Sequence, residues 1–383
     1  SIQRIRSLVQ QKFGQHPCLF QIKIAQSLYE KRNDVVAIAA TGAGKTLSFW
    51  MPLLMALEDN QDKMIFVVTP LNILGKQNVE LLNAAGIRGI AIDAKSVTDE
   101  NFKNIEAGMF QVVVINPEIL MTDSGHCEKL WKKPSFVSRL LYFVFDEGHC
   151  MSEWSSFREQ YKYLGSLRFL IPEVIPFYVA SATLPTPILD DVTEVLHLRP
   201  RHTDHIFRSN NRPDIALCAR KMRYSASSFK DLNFLIPKNF TDGDLPPPKF
   251  LIFFNSIKEA EATTRHLRSR LPEHLQHKVK YFHSLMSDKY RDDQLEAIKN
   301  GDIFGMCVTD SFGMGLDVSD IKIVVQWKLP KNINTLWQRF GRTARGFDVE
   351  GFAIFIYEKT YCDDEMKGRQ IRKLQRAATK KRK

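Results

Sequence analysis

The residues most specific in their chemistry are a lysine and a threonine directly after a glycine-rich turn, in Ala39-Ala40-Thr41-Gly42-Ala43-Gly44-Lys45-Thr46. Glycines let backbone amides curl around an anion, and the N-terminus of a following helix adds positive potential. Thr41, Gly42, Ala43 and Gly44 are therefore expected to cradle the phosphates of ATP, with Lys45 on the β- and γ-phosphates and the Thr46 hydroxyl on Mg²⁺. The first glycine of the usual G-x-x-x-x-G-K-[ST] pattern is replaced by Ala39. Two adjacent acids, Asp146-Glu147, follow an apolar run; Asp146 reads as a carboxylate for the metal, and Glu147 as the base that orients and deprotonates an attacking water. Gln21, 24 residues before Lys45, can accept from N6 and donate to N7 of adenine. Arg342 and Arg345 share a face if their segment is helical, and read as fingers for the γ-phosphate held by the first domain.

Those groups need a scaffold that presents them at strand ends. Val35-Val36-Ala37-Ile38 reads as a buried strand, and Leu47-Ser48-Phe49-Trp50 as the start of a helix. Further apolar runs end in polar clusters: Met64 to Val68 before Thr69-Pro70-Leu71, Val112 to Ile115 before Asn116-Pro117-Glu118, Leu141 to Phe145 before Asp146, and Phe177 to Ala180 before Ser181-Ala182-Thr183. Continuous apolar strands of this kind predict a parallel sheet whose working edge is at the strand C-termini. The rhythm breaks at 197–213, with Asn210-Asn211-Arg212-Pro213 as a candidate hinge, and 224–249 reads as a surface excursion. It resumes with Phe250 to Phe254, Val279 to Phe282, Gly305 to Val308 and Ile321 to Val325. The expected class is α/β with two parallel-sheet domains, 1–205 and 206–360, followed by a basic tail at 361–383.

Bulk properties agree with a globular pair of domains: 383 residues, 44% hydrophobic and 25% charged. No stretch approaches the roughly 18 apolar residues of a membrane span, and no secretory signal opens the chain. The first residue is Ser1, as in a trimmed fragment of a longer protein. Six scattered cysteines without a C-x-x-C pair predict reduced thiols, no zinc and no disulfide framework. The net charge of +11 is concentrated in residues 367–383, which carry nine bases and no acid, so the rest of the chain is near neutral. That tail reads as a phosphate-binding arm, a nuclear-localisation patch or a solvated end.

Cys150-Met151-Ser152-Glu153-Trp154 through Phe157-Arg158-Glu159-Gln160-Tyr161 is half polar and rich in aromatics, which suits a loop that stacks on bases and reports their presence to Glu147. With the phosphate loop, Thr69-Pro70-Leu71, Asp146-Glu147-Gly148-His149, Ser181-Ala182-Thr183, Asn211-Arg212-Pro213, Phe253-Phe254-Asn255-Ser256, Phe312 to Asp317 and Gln338 to Arg345 in this order, the chain over roughly 13–357 resembles the RecQ DNA helicases of the second superfamily. The resemblance implies two tandem RecA-like domains of the P-loop NTPase type, ATP and Mg²⁺ as cofactors, and 3′-to-5′ movement on single-stranded DNA with unwinding of tailed duplexes. It further implies nucleotide contact by Asp317, catalytic help from Gln338, and DNA contact by Asn116, Trp154, Phe157, Arg158, Asn255 and Ser256. A monomeric core and nuclear residence also follow from it. The third position of the acidic box is Gly148 where that family usually has alanine, the last motif reads Gly-Arg-Thr-Ala-Arg-Gly, and the arginine that usually precedes Gln21 has no clear counterpart. The family's zinc-binding and winged-helix region is not expected here. A DNA-stimulated ATPase or remodelling module that does not separate strands, and an RNA helicase, stay open on sequence grounds.

Overall fold

The computed structural model describes residues 1–30, 33–70, 72–155, 158–241, 243–312, 318–346, 349–362 and 365–367. Phe157, Asp317 and nearly all of the basic tail lie outside the described residues. The chain divides into two units, Ser1–Asn211 and Arg212–Lys383. The division falls six residues later than the 205/206 boundary expected from sequence, because the segment that breaks the apolar rhythm closes the first sheet.

The first unit opens with helices α1 (Ile2–Phe13) and α2 (Leu19–Tyr29). Strand β1 (Asp34–Ile38) leads through the glycine turn into α3 (Lys45–Glu58). The remaining strands are β2 (Met64–Val68), β3 (Gly89–Ile92), β4 (Val112–Ile115), β5 (Leu140–Asp146), β6 (Phe177–Ser181) and β7 (Thr203–Phe207). They form a parallel sheet in the order β3-β4-β2-β5-β6-β1-β7. Strands β2, β4 and β6 are buried along their whole length, as expected of strands covered on both faces. Helix α3 is buried from Leu47 to Ala56, including Trp50 and Pro52, which suits a helix apolar all round. Strand β7 is at the sheet edge with no fully buried residue, and Thr203, Asp204 and His205 leave it without the apolar run that marks the inner strands.

In the second unit, β8 (Ile215–Lys221), β9 (Phe250–Phe253), β10 (Val279–Phe282), β11 (Gly305–Val308), β12 (Ile323–Trp327) and β13 (Gly351–Tyr357) form a parallel sheet ordered β10-β11-β9-β12-β13-β8. Strands β3, β8 and β13 are likewise additions to those expected from the sequence. β8 is an edge strand with an exposed middle, and β13 alternates, with Phe352 outward and Ala353 inward. The segment read as a surface excursion instead supplies core: Phe229, Leu232, Leu235, Ile236 and Phe240 are buried with Phe250, Ile252 and Trp327. Its buried acid, Asp231, is satisfied by the backbone N–H groups of Arg223 and Tyr224. Arg342 and Arg345 do not share a helix, because the helix Ile333–Phe340 ends before them and Ala344 takes a left-handed φ of 52°. No helix among the described residues is long and apolar enough to cross a membrane.

Candidate nucleotide and nucleic-acid sites

The glycine turn between β1 and α3 is built as the sequence requires. Gly42 and Gly44 both take positive φ, 83° and 72°, which no other residue type adopts as cheaply. Lys45 folds back over its own loop, its Nζ donating to the carbonyls of Ala39 at 2.9 Å and Ala40 at 3.2 Å. Thr46 is exposed in the first turn of α3. The loop is thus an open anion cradle whose lysine is held by two neutral carbonyls that a phosphate would outcompete for its charge.

Gln21 is 5% exposed and spends both ends of its amide on the backbone. Its Oε1 accepts from Cys18 N at 2.8 Å, and its Nε2 donates to Gly44 O at 2.8 Å. These bonds tie α2 to the phosphate cradle and leave the amide one further N–H and one further lone pair, the pair of groups an adenine contact needs. A side chain at Gly44 would strike that tie, since its Cβ would lie 2.7 Å from Gln21 Nε2.

At the end of β5, Asp146 Oδ1 accepts from Glu147 N at 2.9 Å, and Glu147 holds a left-handed φ of 51°. Burial and the neighbouring Glu147 carboxylate push the Asp146 carboxyl well above the usual aspartate range, with the Lys45 ammonium acting in the opposite direction. Glu147 Oε2 is buried without a hydrogen bond, with His149 Nδ1 3.4 Å away. A carboxyl pair short of positive charge and hydrogen bonds fits a divalent cation on Asp146 with Thr46, and a water on Glu147. His149 is itself buried and meets Ser181 Oγ at 3.1 Å, while Ser181 Oγ accepts from Thr183 N at 3.2 Å. The acidic box is thereby joined to the end of β6.

Gly148 answers to packing. A Cβ there would lie 2.4 Å from Val179 Cγ1 on β6, so an alanine does not fit. Gly148→Ala is expected to lower stability by about 1–3 kcal/mol in chemical denaturation, and adding Val179→Ala should restore part of the loss.

The aromatic segment begins directly after the box, as the short helix Cys150–Trp154. Arg158 grips Glu118 through two bonds of 2.5 and 2.7 Å and donates to Pro70 O at 2.9 Å. Its guanidinium also lies 5.2 Å from the rings of both Trp154 and Tyr161. Burial by itself raises the Glu118 carboxyl, but Arg158 more than offsets this and holds it below its ordinary value. Arg158, expected as a DNA ligand, also braces the aromatic segment against the ends of β2 and β4. Asn116 caps the following turn through Ile119 N at 2.9 Å, and Trp154 is half-buried against Tyr161. Glu118 is the residue the sequence reading lacks here, although its place beside Asn116-Pro117 at a strand end is a signal for it.

In the second unit the polar cluster is organised by a residue that carries no role in the sequence reading. Arg339, 3% exposed, bonds Asp310 Oδ1 at 2.5 Å, Gln326 Oε1 at 2.6 Å and Asn255 Oδ1 at 3.2 Å. Asn255 in turn donates to Leu329 O at 2.7 Å, and Ser256 starts the helix Ile257–Arg268. Gln338 is half-buried on the helix Ile333–Phe340. Arg342 is buried, and Arg345 Nε donates to Gly341 O at 3.0 Å. The turn that carries both is pinned by Arg212, whose Nη2 bonds Asp214 and the carbonyls of Thr343 and Ala344.

Comparison with known proteins agrees with this geometry. The DEAD/DEAH box helicase family matches residues 19–192, and the helicase conserved C-terminal domain matches 235–346. The mouse bifunctional 3′-5′ exonuclease/ATP-dependent helicase WRN is 29% identical, covering 85% of this chain and 22% of its own. The ATP-dependent DNA helicase RecQ of Pasteurella multocida is 27% identical over 85% of this chain and 48% of its own. The probable ATP-dependent DNA helicase RecS of Bacillus subtilis is 28% identical over 82% and 59%. Among solved structures, the DUF1998 helicase MrfA bound to DNA and AMPPNP superposes with a TM-score of 0.74 at 19% identity, over 93% of this chain and 50% of that one. Yeast Dbp5 bound to RNA and ADP BeF3 gives 0.69 at 17%, over 96% and 92%. The structural likenesses carry the fold, two α/β units of helicase type. The chain spans between about a fifth and three fifths of the length of these curated relatives.

Proposed function

The chain belongs to the RecQ-like helicase cores of the second superfamily, and on that premise we propose that it is a motor, monomeric at its core, that couples ATP hydrolysis to 3′-to-5′ movement on single-stranded DNA and to separation of a tailed duplex. The observation that carries the reading is the continuity of the hydrolytic acid with the aromatic segment. Glu147 and His149 immediately precede Cys150–Trp154, and Arg158 braces that segment to two strand ends of the same sheet.

Lys45 and the Thr41 to Gly44 amides hold the phosphates, and Thr46 and Asp146 hold Mg²⁺. The ion, when bound, neutralises charge on the transferring phosphoryl group. Glu147 orients a water and takes its proton, while Arg342 and Arg345 supply positive charge to the transition state and Gln338 assists them. Trp154, with Phe157, stacks on DNA bases, and Asn116, Asn255 and Ser256 contact the strand. Arg158 keeps Trp154 in place. Nuclear residence is proposed from the basic run at 367–383, and a tail-deleted chain that still accumulates in nuclei would remove that support.

Steady-state hydrolysis with and without single-stranded DNA or RNA, followed by displacement of a 3′-tailed duplex, tests the reading. DNA is expected to stimulate hydrolysis strongly and RNA weakly. Trp154→Ala should abolish stimulation and leave the basal rate within about twofold, since a lost stacking contact of about 1–3 kcal/mol acts only on the DNA-bound state. Equal stimulation by RNA with an untouched DNA duplex overturns the DNA motor, and stimulation without displacement leaves an ATPase that remodels DNA complexes.

A further inference from the structure

Helix α3 is interrupted just behind the phosphate cradle. Pro52 lies inside it, has no N–H to give to the carbonyl of Ser48 four residues back, and crowds that carbonyl. The turn that carries Lys45 and Thr46 is therefore weakly joined to the rest of its own helix.

Two tyrosines on neighbouring strands hold this turn instead. The Ser48 hydroxyl donates to Lys45 O at 2.5 Å, which uses its one proton, so in its 2.7 Å contact with the Tyr178 hydroxyl the tyrosine is the donor. The Tyr142 hydroxyl donates to Phe49 O at 2.5 Å, and the Leu53 N–H meets the same hydroxyl, which puts the phenol at the rung between Phe49 and Leu53. The Tyr178 ring also meets Phe49 edge-on, with centroids 5.5 Å apart.

All four side chains are fully buried, in a core that includes Val35, Ala37, Val144 and Ala180. A hydroxyl in such a place costs desolvation unless it bonds, so what each one bonds to matters. Burial pushes both phenols above their ordinary value, and each stays a proton donor at neutral pH.

Both strands run on into the site. Tyr142 stands four residues before Asp146 on β5, and by the period of two it is on the same face. Tyr178 pairs with Val144 across β5 and β6, three residues before Ser181. The bonds thus join the strand that carries the acidic box, and its neighbour, to the turn that carries Lys45 and Thr46.

We infer that Tyr178, through Ser48, and Tyr142, through Phe49, are positioning residues that set Lys45 and Thr46 against Asp146. This rests on the ATP reading above and adds the groups that keep the cradle in register with the acid.

The full chain is titrated calorimetrically with ADP at fixed Mg²⁺, the Mg²⁺ dependence of hydrolysis is followed, and the denaturation midpoint is measured without nucleotide. Tyr178→Phe and Tyr142→Phe each remove one oxygen and keep the ring. Each should raise the ADP dissociation constant and the Mg²⁺ needed for half-maximal hydrolysis by roughly 3- to 10-fold, the scale of one buried hydrogen bond. Tyr178→Phe and Ser48→Ala break the same chain of bonds, so the double variant should bind ADP little worse than the weaker-binding single one. A lowered denaturation midpoint with wild-type ADP binding and Mg²⁺ dependence in both phenylalanine variants makes the tyrosines packing groups and overturns the inference. A double variant whose loss is the product of the two single losses overturns it as well, and the ATP reading stands in either case. A wild-type chain that does not bind ADP overturns both.

Discussion

Glu147→Gln is expected to bind ATP within a few-fold of wild type and to hydrolyse it about 10²- to 10⁴-fold more slowly. The substitution keeps the shape of the side chain and its left-handed backbone position, and it removes the oxygen charge that takes the proton. The groups that hold phosphate are elsewhere: the Gly42 to Gly44 turn, Lys45 over the carbonyls of Ala39 and Ala40, and Thr46 on the helix. The loss should therefore fall on kcat in single-turnover measurements, with equilibrium ATP binding retained. Near-normal turnover removes Glu147 from the mechanism.

Asp34→Asn is expected to cost about 3–5 kcal/mol of folding stability, the scale of breaking one partner out of a buried ion cluster. Asp34 is fully buried at the start of β1. Its carboxylate accepts from Phe177 N at 2.9 Å and from the Arg199 side chain at 3.1 and 3.2 Å, and it pairs with Arg168 at 2.8 Å. Arg168 in turn lies over the Phe177 ring at 3.5 Å. One side chain thus joins β1 to β6 and to the segment leading into β7, and its loss leaves two arginines without their counter-charge. A fall in the thermal midpoint of roughly 6–20 °C follows for a unit of this size.

The pH dependence gives an independent check. Burial raises the Asp34 carboxyl, but Arg199, Arg168 and the Phe177 N–H more than offset it and hold it below its ordinary value of 3.8. A depressed carboxylate contributes stability that is fully present above the unfolded value and lost as pH falls through the folded one. The wild type should exceed Asp34→Asn by the full margin from about pH 5 to 7, and the gap should close below about pH 4. A gap of under 1 kcal/mol at pH 7, or one that persists unchanged to pH 3, refutes the account.

What the sequence determined by itself is the chemistry held within short contiguous stretches. Gly42 and Gly44 before Lys45 and Thr46, and Asp146-Glu147 after a buried run, each need only a strand end and a turn to become functional. Their order along the chain was enough to identify the class of domain, and runs such as Met64–Val68 and Val112–Ile115, buried on both faces, were legible for the same reason. Tertiary structure decided every role that depends on which strand lies beside which. β6 lies next to β1, so Phe177 N reaches Asp34, 143 residues away. The ends of β2 and β4 are adjacent, so Pro70 and Glu118 both reach Arg158 and make it a brace that its own stretch of sequence does not reveal. Gly148, a departure when compared by residue type, is the residue that Val179 leaves room for. Local chemistry is encoded by neighbours in the chain, whereas the partners of a buried charge or a close-packed Cβ are set by strand order, which no single stretch of sequence contains.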